Sequence, residues 1–315
     1  MTLFTRFIAT NIFKIKHLYT TKMKPNFVTN PPSKTEGLQK VNQRKYAEKS
    51  HNAIEDVAII EEPLLISLHF FDTGLLTYKT TELTLIMRTP GDDDALITGF
   101  LFNEQIITSV HDILSIKFSD EAQNNNHRMI KLKSTVSIDW KKVTRSFPSQ
   151  SSCGICGKTS LNALSLKTEH SIDNSEHWLK ADRIIQFAQD LKNHQPLFKE
   201  SGSAHGAGYI TDNKWICVYE DVGRHNAVDK VVGHILNNNL FSKKSILVLS
   251  GRVSFELIQK AVTASIPVII AIGAPSSLAI SAAIQFNITL IGFTKKNQFN
   301  VYHGNHRISD DNKTG

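Results

Sequence analysis

The chain has 315 residues, 41 % of them hydrophobic, with only three cysteines; this excludes a disulfide framework and leaves room for one large domain or two modest ones. Its net charge of +7 is unevenly placed: residues 1–50 hold ten Lys/Arg against two Glu, and the other 265 residues carry 26 basic and 27 acidic side chains. The basic character therefore belongs to the N-terminal stretch and argues against a nucleic-acid surface on the folded body, and no run approaches 18 apolar residues, which argues against a spanning helix.

Residues 1–28 contain Arg6, Lys14, Lys16, Lys22 and Lys24 and no acid, with Phe4, Phe7, Ile8, Ile12, Phe13 and Ile15 among them. Two readings fit: a start placed too early, with Met23 as the true beginning, or a transit-type targeting segment. Charges interrupt the apolar run and no A-x-A site follows, which argues against a secretory signal. With Pro25, Pro31 and Pro32 in the polar stretch that follows, residues 1–52 read as a disordered basic tail.

Short apolar runs at 57–60, 64–70, 75–78 and 83–87 predict strands, with turns at Glu61-Glu62-Pro63 and Asp72-Thr73-Gly74. Pro90-Gly91 stops the last one. One of Asp92, Asp93 and Asp94 caps a helix carrying Ala95, Leu96, Gly99, Phe100 and Leu101. Strands at 113–118 and 129–132 follow, around an Asn-rich turn at 124–126.

The next stretch is Ser151-Ser152-Cys153-Gly154-Ile155-Cys156-Gly157-Lys158. Small residues let a partner approach sulfur closely, and the glycines bring both thiols onto one loop. Lys158 and a helix expected from about Thr159-Ser160 favour thiolate over thiol. The pair has four readings. A zinc site needs four ligands, so Cys153 and Cys156 would need His205, His225 or another histidine. A thioredoxin-like dithiol belongs at the end of a first strand, not mid-chain. An incidental pair fits poorly with so few cysteines. A persulfide-bearing sulfur carrier suits the small-residue loop best. Cys217, inside a predicted strand, reads as a buried core thiol.

Beyond the loop, 180–193 predicts an amphipathic helix and 198–208 a small-residue loop around His205. From 214 onward strands at 215–219, 246–249, 268–272 and 288–293 alternate with helices at 223–236, 254–264 and 276–285. This alternation predicts an α/β fold, a sheet with helices packed on it and a smaller strand-rich N-terminal part. The loops leaving the strand ends form the crevice in such sheets. They bring forward His205, which three glycines crowd, Arg224 at a strand-to-helix turn, Ser250 and Arg252 around Gly251, and Phe293-Thr294-Lys295-Lys296-Asn297-Gln298. A helix N-terminus with Arg224 beside it can bind phosphate, and the two lysines that end the last strand form either a polar turn or the rim of an anion site. Asp221 closes a buried strand and reads as functional, Asp229 and Lys230 as a solvated helix face, and Ser276 and Ser277 as helix caps or ligand hydroxyls. The domains expected are residues 1–52, 53–145, a mobile cysteine loop at 146–170, and 171–310.

Taken together, these stretches resemble the formate dehydrogenase accessory sulfurtransferases. The likeness rests on Glu62-Pro63-Leu64-Leu65-Ile66, Met87-Arg88-Thr89-Pro90-Gly91-Asp92-Asp93 with Gly99-Phe100-Leu101, Ser152 to Lys158, residues 220–233 and 250–261, Ala274-Pro275-Ser276-Ser277-Leu278-Ala279, Leu290-Ile291-Gly292-Phe293, and Arg307. It runs from about Val57 to Ile308, outside the first 50 residues. One departure lies in the His205 loop, which in the family has two adjacent glycines and an alanine run; here Ser203 and Gly206 interrupt it.

The resemblance implies a cytoplasmic homodimer that takes sulfur from a cysteine desulfurase as a persulfide on Cys153, with Cys156 assisting. The sulfur passes to the molybdenum or tungsten of a bis-pterin guanine dinucleotide cofactor before that cofactor enters formate dehydrogenase. No cofactor is permanently bound and no metal is resident; the molybdenum cofactor is a transient substrate. The resemblance implies cofactor contacts at Phe293 to Gln298 and a larger domain like the cytidine deaminase fold. A zinc nucleobase deaminase needs H-x-E and P-C-x-x-C, and both are absent here. A cofactor-binding chaperone that moves no sulfur remains as the non-enzyme alternative.

Overall fold

The computed structural model describes residues 37–47, 50–119, 126–140 and 172–309. Cys153 and Cys156, and the helix expected from about residue 159, lie outside these residues.

The described chain is mixed α/β. It opens with an antiparallel hairpin of β1 (Leu38–Ala47) and β2 (Ser50–Ile59). This corrects the expected tail through residue 52. The hairpin is polar and lacks the apolar alternation that announces a half-buried strand, so its backbone pairing leaves little trace in composition. Next come β3 (Glu62–Asp72), β4 (Thr77–Arg88), β5 (Ile113–Phe118) and β6 (His127–Leu132), in a sheet ordered β4-β3-β6-β5. Helix α1 (Asp93–Asn103) covers one face, packing Leu96, Ile97, Phe100 and Leu101 against Leu64, Ile66, Leu68 and Ile130. Of the runs expected at 75–78 and 83–87, the residues from Thr77 onward belong to the single strand β4, and Leu75 and Leu76 lie in the turn before it.

The second sheet carries six strands in the order β13-β12-β11-β10-β8-β9. These are β8 (His205–Thr211), β9 (Lys214–Asp221), β10 (Ser245–Leu249), β11 (Val268–Ala271), β12 (Thr289–Gly292) and β13 (Asn300–His303). A two-residue pair, β7 (Leu179–Lys180) with β14 (Ile308–Ser309), stands apart. Alternation sorts the side chains of the large sheet. Leu247, Leu249, Ile269 and Leu290 face helices α4 (Arg224–Asn238), α5 (Phe255–Thr263) and α6 (Ser277–Gln285). Ile246, Val248, Ile270 and Ile291 face α2 (Ala181–Asp190), with Ile184, Phe187 and Ala188. Burial on both faces explains why these strands are short, continuous apolar runs. A short helix, α3 (Pro196–Ser201), leads into β8. Among the described residues no helix is long and apolar enough to cross a membrane.

Helices α1 and α4 join the two sheets by crossing through glycine. A methyl on Gly99 would run into the Asp229 carbonyl, and one on Gly233 into the Ala95 carbonyl, both well inside contact distance. No side chain fits where the backbones lie this close. Leu236 of α4 completes the core of the small sheet, and Phe102 of α1 reaches both cores. A Gly233→Ala variant is expected to lose about 1–3 kcal/mol, the usual cost of forcing extra volume into a packed contact, seen as a lower urea midpoint. A midpoint equal to the wild type would show that the crossing is loose.

Candidate functional site

Strand direction gathers the candidate residues. β10, β11 and β12 are parallel, so their carboxyl ends, Leu249, Ala271 and Gly292, lie at one edge. β8 runs antiparallel to β10 and starts at that edge with His205. β9, antiparallel to β8, ends there with Asp221, in register with His205. His205 is thus the first residue of a buried strand and not the middle of a loop, as the glycines around it suggest. Those glycines serve packing: a Cβ on Gly208 would strike the Trp215 ring, and one on Gly206 the Gln195 side chain.

The turns leaving the strands fit against one another. A Cβ on Gly273 would lie 2.6 Å from the Gly251 carbonyl oxygen and 2.7 Å from the Arg252 nitrogen, so only glycine fits there. The Phe293 amide donates to the Gly273 carbonyl (3.1 Å) and the Thr294 amide to that of Ala271 (3.2 Å). Phe293 holds φ of 52° and is 43 % exposed. The Lys295 amide closes the next turn onto the Gln298 carbonyl (2.8 Å), and Gln189 of α2 donates to the Lys296 carbonyl (3.0 Å). Lys295, Lys296, Asn297 and Gln298 are exposed.

On the other side of Gly251 stand His205 and Arg224. A Cβ on Gly251 would lie 3.3 Å from His205 Nδ1 and 3.8 Å from Arg224 Cδ. The Gly206 amide donates to Ser250 Oγ (2.9 Å), and the Ser250 amide to the Gly206 carbonyl (3.0 Å). His205 and Ser250 line a cleft of about 480 Å³ with Lys192, Gln195, Phe198 and Ser203. Arg224 and Arg252 are not among its lining residues. Burial lowers the His205 pKa, and the guanidinium groups of Arg224 and Arg252 lower it further against the opposing charge of Asp221, so the imidazole is neutral at neutral pH. Arg224 Nε is buried without a hydrogen-bond partner, as is Thr294 Oγ1. A buried guanidinium N–H left open beside a strand-end turn is a ready donor for an anion.

Asp221 and Lys230 hold this edge together. Asp221 is fully buried and pairs with Lys230 Nζ at 2.9 Å; its oxygens also accept from the Thr89 amide (3.2 Å), the Gly223 amide (2.9 Å) and Asn226 Nδ2 (2.9 Å). Lys230 Nζ donates further to the carbonyls of Thr89 and Glu220, each at 3.2 Å. Thr89 Oγ1 accepts from the Val222 amide. Asp229 pairs with Lys260 at 2.5 Å and accepts from Asn103. The solvated helix face expected at Asp229 and Lys230 is thus corrected: both are buried, Asp229 against Lys260 and Asn103, 31 and 126 residues away, and Lys230 against the end of β9 and the Thr89 carbonyl, contacts that helical spacing does not announce. Glu220 accepts from the Leu197 and Phe198 amides, each at 2.8 Å, and so holds the start of α3, one wall of the cleft.

A larger cleft of about 630 Å³ lies by the first sheet. Its charged lining is engaged within itself: Arg88 pairs with Asp93 through two nitrogens, and Arg128 with the same carboxylate. Ser276 caps α6, accepting from the Ala279 amide (3.2 Å). Burial pushes the Cys217 thiol up to about 12, which makes it a core residue and not a nucleophile. Among the described residues no group of three or more His, Cys, Asp or Glu could hold a metal ion.

Residues 74–309 match the FdhD/NarQ family. A Nocardia farcinica protein named sulfur carrier protein FdhD is 37 % identical over 259 residues, covering 81 % of this chain and 88 % of its own length. A Saccharolobus solfataricus protein of the same name is also 37 % identical, covering 80 % and 91 %. The crystal structure of a formate dehydrogenase accessory protein from Desulfotalea psychrophila superposes with a TM-score of 0.64 at 21 % identity, covering 86 % of this chain and 99 % of that one; this likeness is one of fold.

The His205 environment gives a pH signature. Folding holds its pKa below the ordinary 6.5, so the unfolded chain binds the proton more readily and stability rises with pH. That share is complete above 6.5 and is lost as pH falls from there through the folded value. His234, His303 and His306, also lowered by burial, act in the same sense. Urea midpoints between pH 7.5 and 5 are expected to fall, and to fall less steeply in His205→Gln. An unchanged slope would show that His205 is solvated.

Proposed function

The chain belongs to the FdhD/NarQ family, and from that premise we propose that it is a sulfur carrier in the maturation of formate dehydrogenase. The observation that carries the finer reading is the convergence, at one sheet edge, of His205, Ser250, Arg252 and the Phe293 turn with Arg224, whose buried Nε has no partner. Such a site suits the phosphates of a dinucleotide-bearing cofactor, the molybdenum (or tungsten) bis-pterin guanine dinucleotide, which is its substrate and not a resident group. Arg224 and Arg252 supply charged donors, His205 a neutral one, and Lys295 and Lys296 an exposed cationic rim.

The chemistry belongs to Cys153 and Cys156. The Cys153 thiolate attacks the outer sulfur of a cysteine desulfurase persulfide; the donor S–S bond breaks, and the desulfurase cysteine leaves as a thiolate. Delivery needs sulfur at the sulfide level. Attack of the Cys156 thiolate on the inner sulfur of Cys153 supplies it: a Cys153–Cys156 disulfide forms and hydrosulfide leaves towards the metal. A thiol reductant then resets the pair, which suits the cytoplasm. The homodimer and the cytidine deaminase-like larger domain belong to the same proposal and rest on family likeness.

The test is complementation of a strain lacking its own family member, read as formate dehydrogenase activity. Wild type is expected to restore activity, Cys153→Ser to abolish it, and Arg224→Ala with Arg252→Ala to reduce it at least tenfold, as loss of two charge-assisted contacts implies. Full activity with Cys153→Ser would favour a cofactor chaperone that moves no sulfur.

A further inference from the structure

His225, in the first turn of α4, reaches the start of α5. Its Nε2 lies 2.8 Å from Glu256 Oε2 and 3.1 Å from Ser254 Oγ. Ser254 is the N-cap residue of α5, yet its hydroxyl caps no amide of that helix. The Ser-His-Glu set resembles a hydrolase triad in composition only. In a triad the hydroxyl and the carboxylate sit on opposite ring nitrogens, and here both meet Nε2. The trio has another effect: it holds the Glu256 carboxylate at the strand-end edge.

The neighbouring carboxylates Asp221, Asp229 and Glu220 are all held within the fold. Asp221 is buried against Lys230, Asp229 is buried against Lys260 and Asn103, and Glu220 takes two backbone amides. Glu256 differs: its partner is the His225 imidazole and not a buried lysine, and its side chain is 60 % exposed. The hydrogen bond from His225 lowers its pKa against the opposing effect of burial, and the Coulombic effects of His225, Lys260 and Arg224 act in the same sense as the hydrogen bond, so it is ionised at neutral pH. Arg224 is thus electrostatically coupled to Glu256 without being hydrogen-bonded to it, and its Nε stays open for a ligand.

We infer that Glu256 is a release-tuning residue: held by His225 beside Arg224, it repels a bound phosphate and keeps the site's affinity for its anionic cargo low enough for hand-over. This rests on reading the strand-end edge as a phosphate site. The physical logic is that of any carrier. Arg224, Arg252 and two helix N-termini would together hold a polyphosphate tightly, and a fixed negative charge within Coulomb range offsets part of that attraction without competing for the donors.

The experiment is isothermal calorimetry of inorganic pyrophosphate on wild type, E256Q and E256D, at low and at physiological salt, with the thermal midpoint of each protein recorded. E256Q is expected to bind about three- to tenfold tighter, the range for removing one screened like charge, with the gain shrinking at higher salt. E256D, which restores the charge, is expected to return towards wild type. Equal or weaker binding by E256Q, with or without a lowered thermal midpoint, overturns the inference while wild-type binding leaves the phosphate site standing. If neither wild type nor E256Q binds pyrophosphate, the phosphate site fails and the inference with it.

Discussion

Asp221 has no exposed surface, and the edge that carries the candidate site depends on how its charge is met. A lone buried carboxylate would cost several kcal/mol, and breaking a buried pair costs about 3–5 kcal/mol. Here one ammonium and three N–H donors meet it, drawn from the Thr89 loop, the Gly223 turn, Asn226 and Lys230. The loop after β4 and the start of α4 are thereby fastened to the end of β9. His205 is paired with Asp221 across the ladder, and Arg224 follows three residues later. Every candidate group on this side is therefore positioned by a structure that is expensive to disturb.

On the proposed reading, the same edge is built for a carrier and not for a tight binder. Glycines at 251 and 273 let three strand-end turns pack against each other, which sets His205 and Arg224 side by side against Gly251. In the proposed site, Arg224 and Arg252 supply the attraction for an anionic cargo. The partly exposed Glu256, held by His225, works against it. The buried pairs Asp221–Lys230 and Asp229–Lys260 contribute rigidity without adding to the field, because each is internally neutral.

Much of this edge is legible in the amino-acid sequence. The alternation of short apolar runs with helical spacing from residue 214 onward locates four strands and three helices of the large sheet, because strands buried on both faces announce themselves by composition. The strand-end turns that would face a ligand follow from the same alternation. Other features carry no local signal. The β1–β2 hairpin is stabilised by backbone pairing between polar residues, and composition is blind to that. His205 looks like a loop residue because its glycines, needed to clear Trp215 and Gln195, resemble turn glycines. Asp229 and Lys230 look solvated because their charge partners, Lys260 and Asp221, sit on other elements, and helical spacing does not reveal a pairing made between elements. Cys153 and Cys156, the most distinctive pair in the sequence, lie outside the described residues, so the reading of their chemistry rests on the sequence and on the relatives.

The most direct measurement follows the sulfur itself. The purified protein is incubated with an active cysteine desulfurase and L-cysteine, then assayed by intact mass and peptide mapping. The expected result is a gain of about one sulfur mass on the peptide containing Cys153, reversed by a thiol reductant and absent from Cys153→Ser. No gain, with the desulfurase shown active on another acceptor, would contradict a sulfur-carrying role for this cysteine.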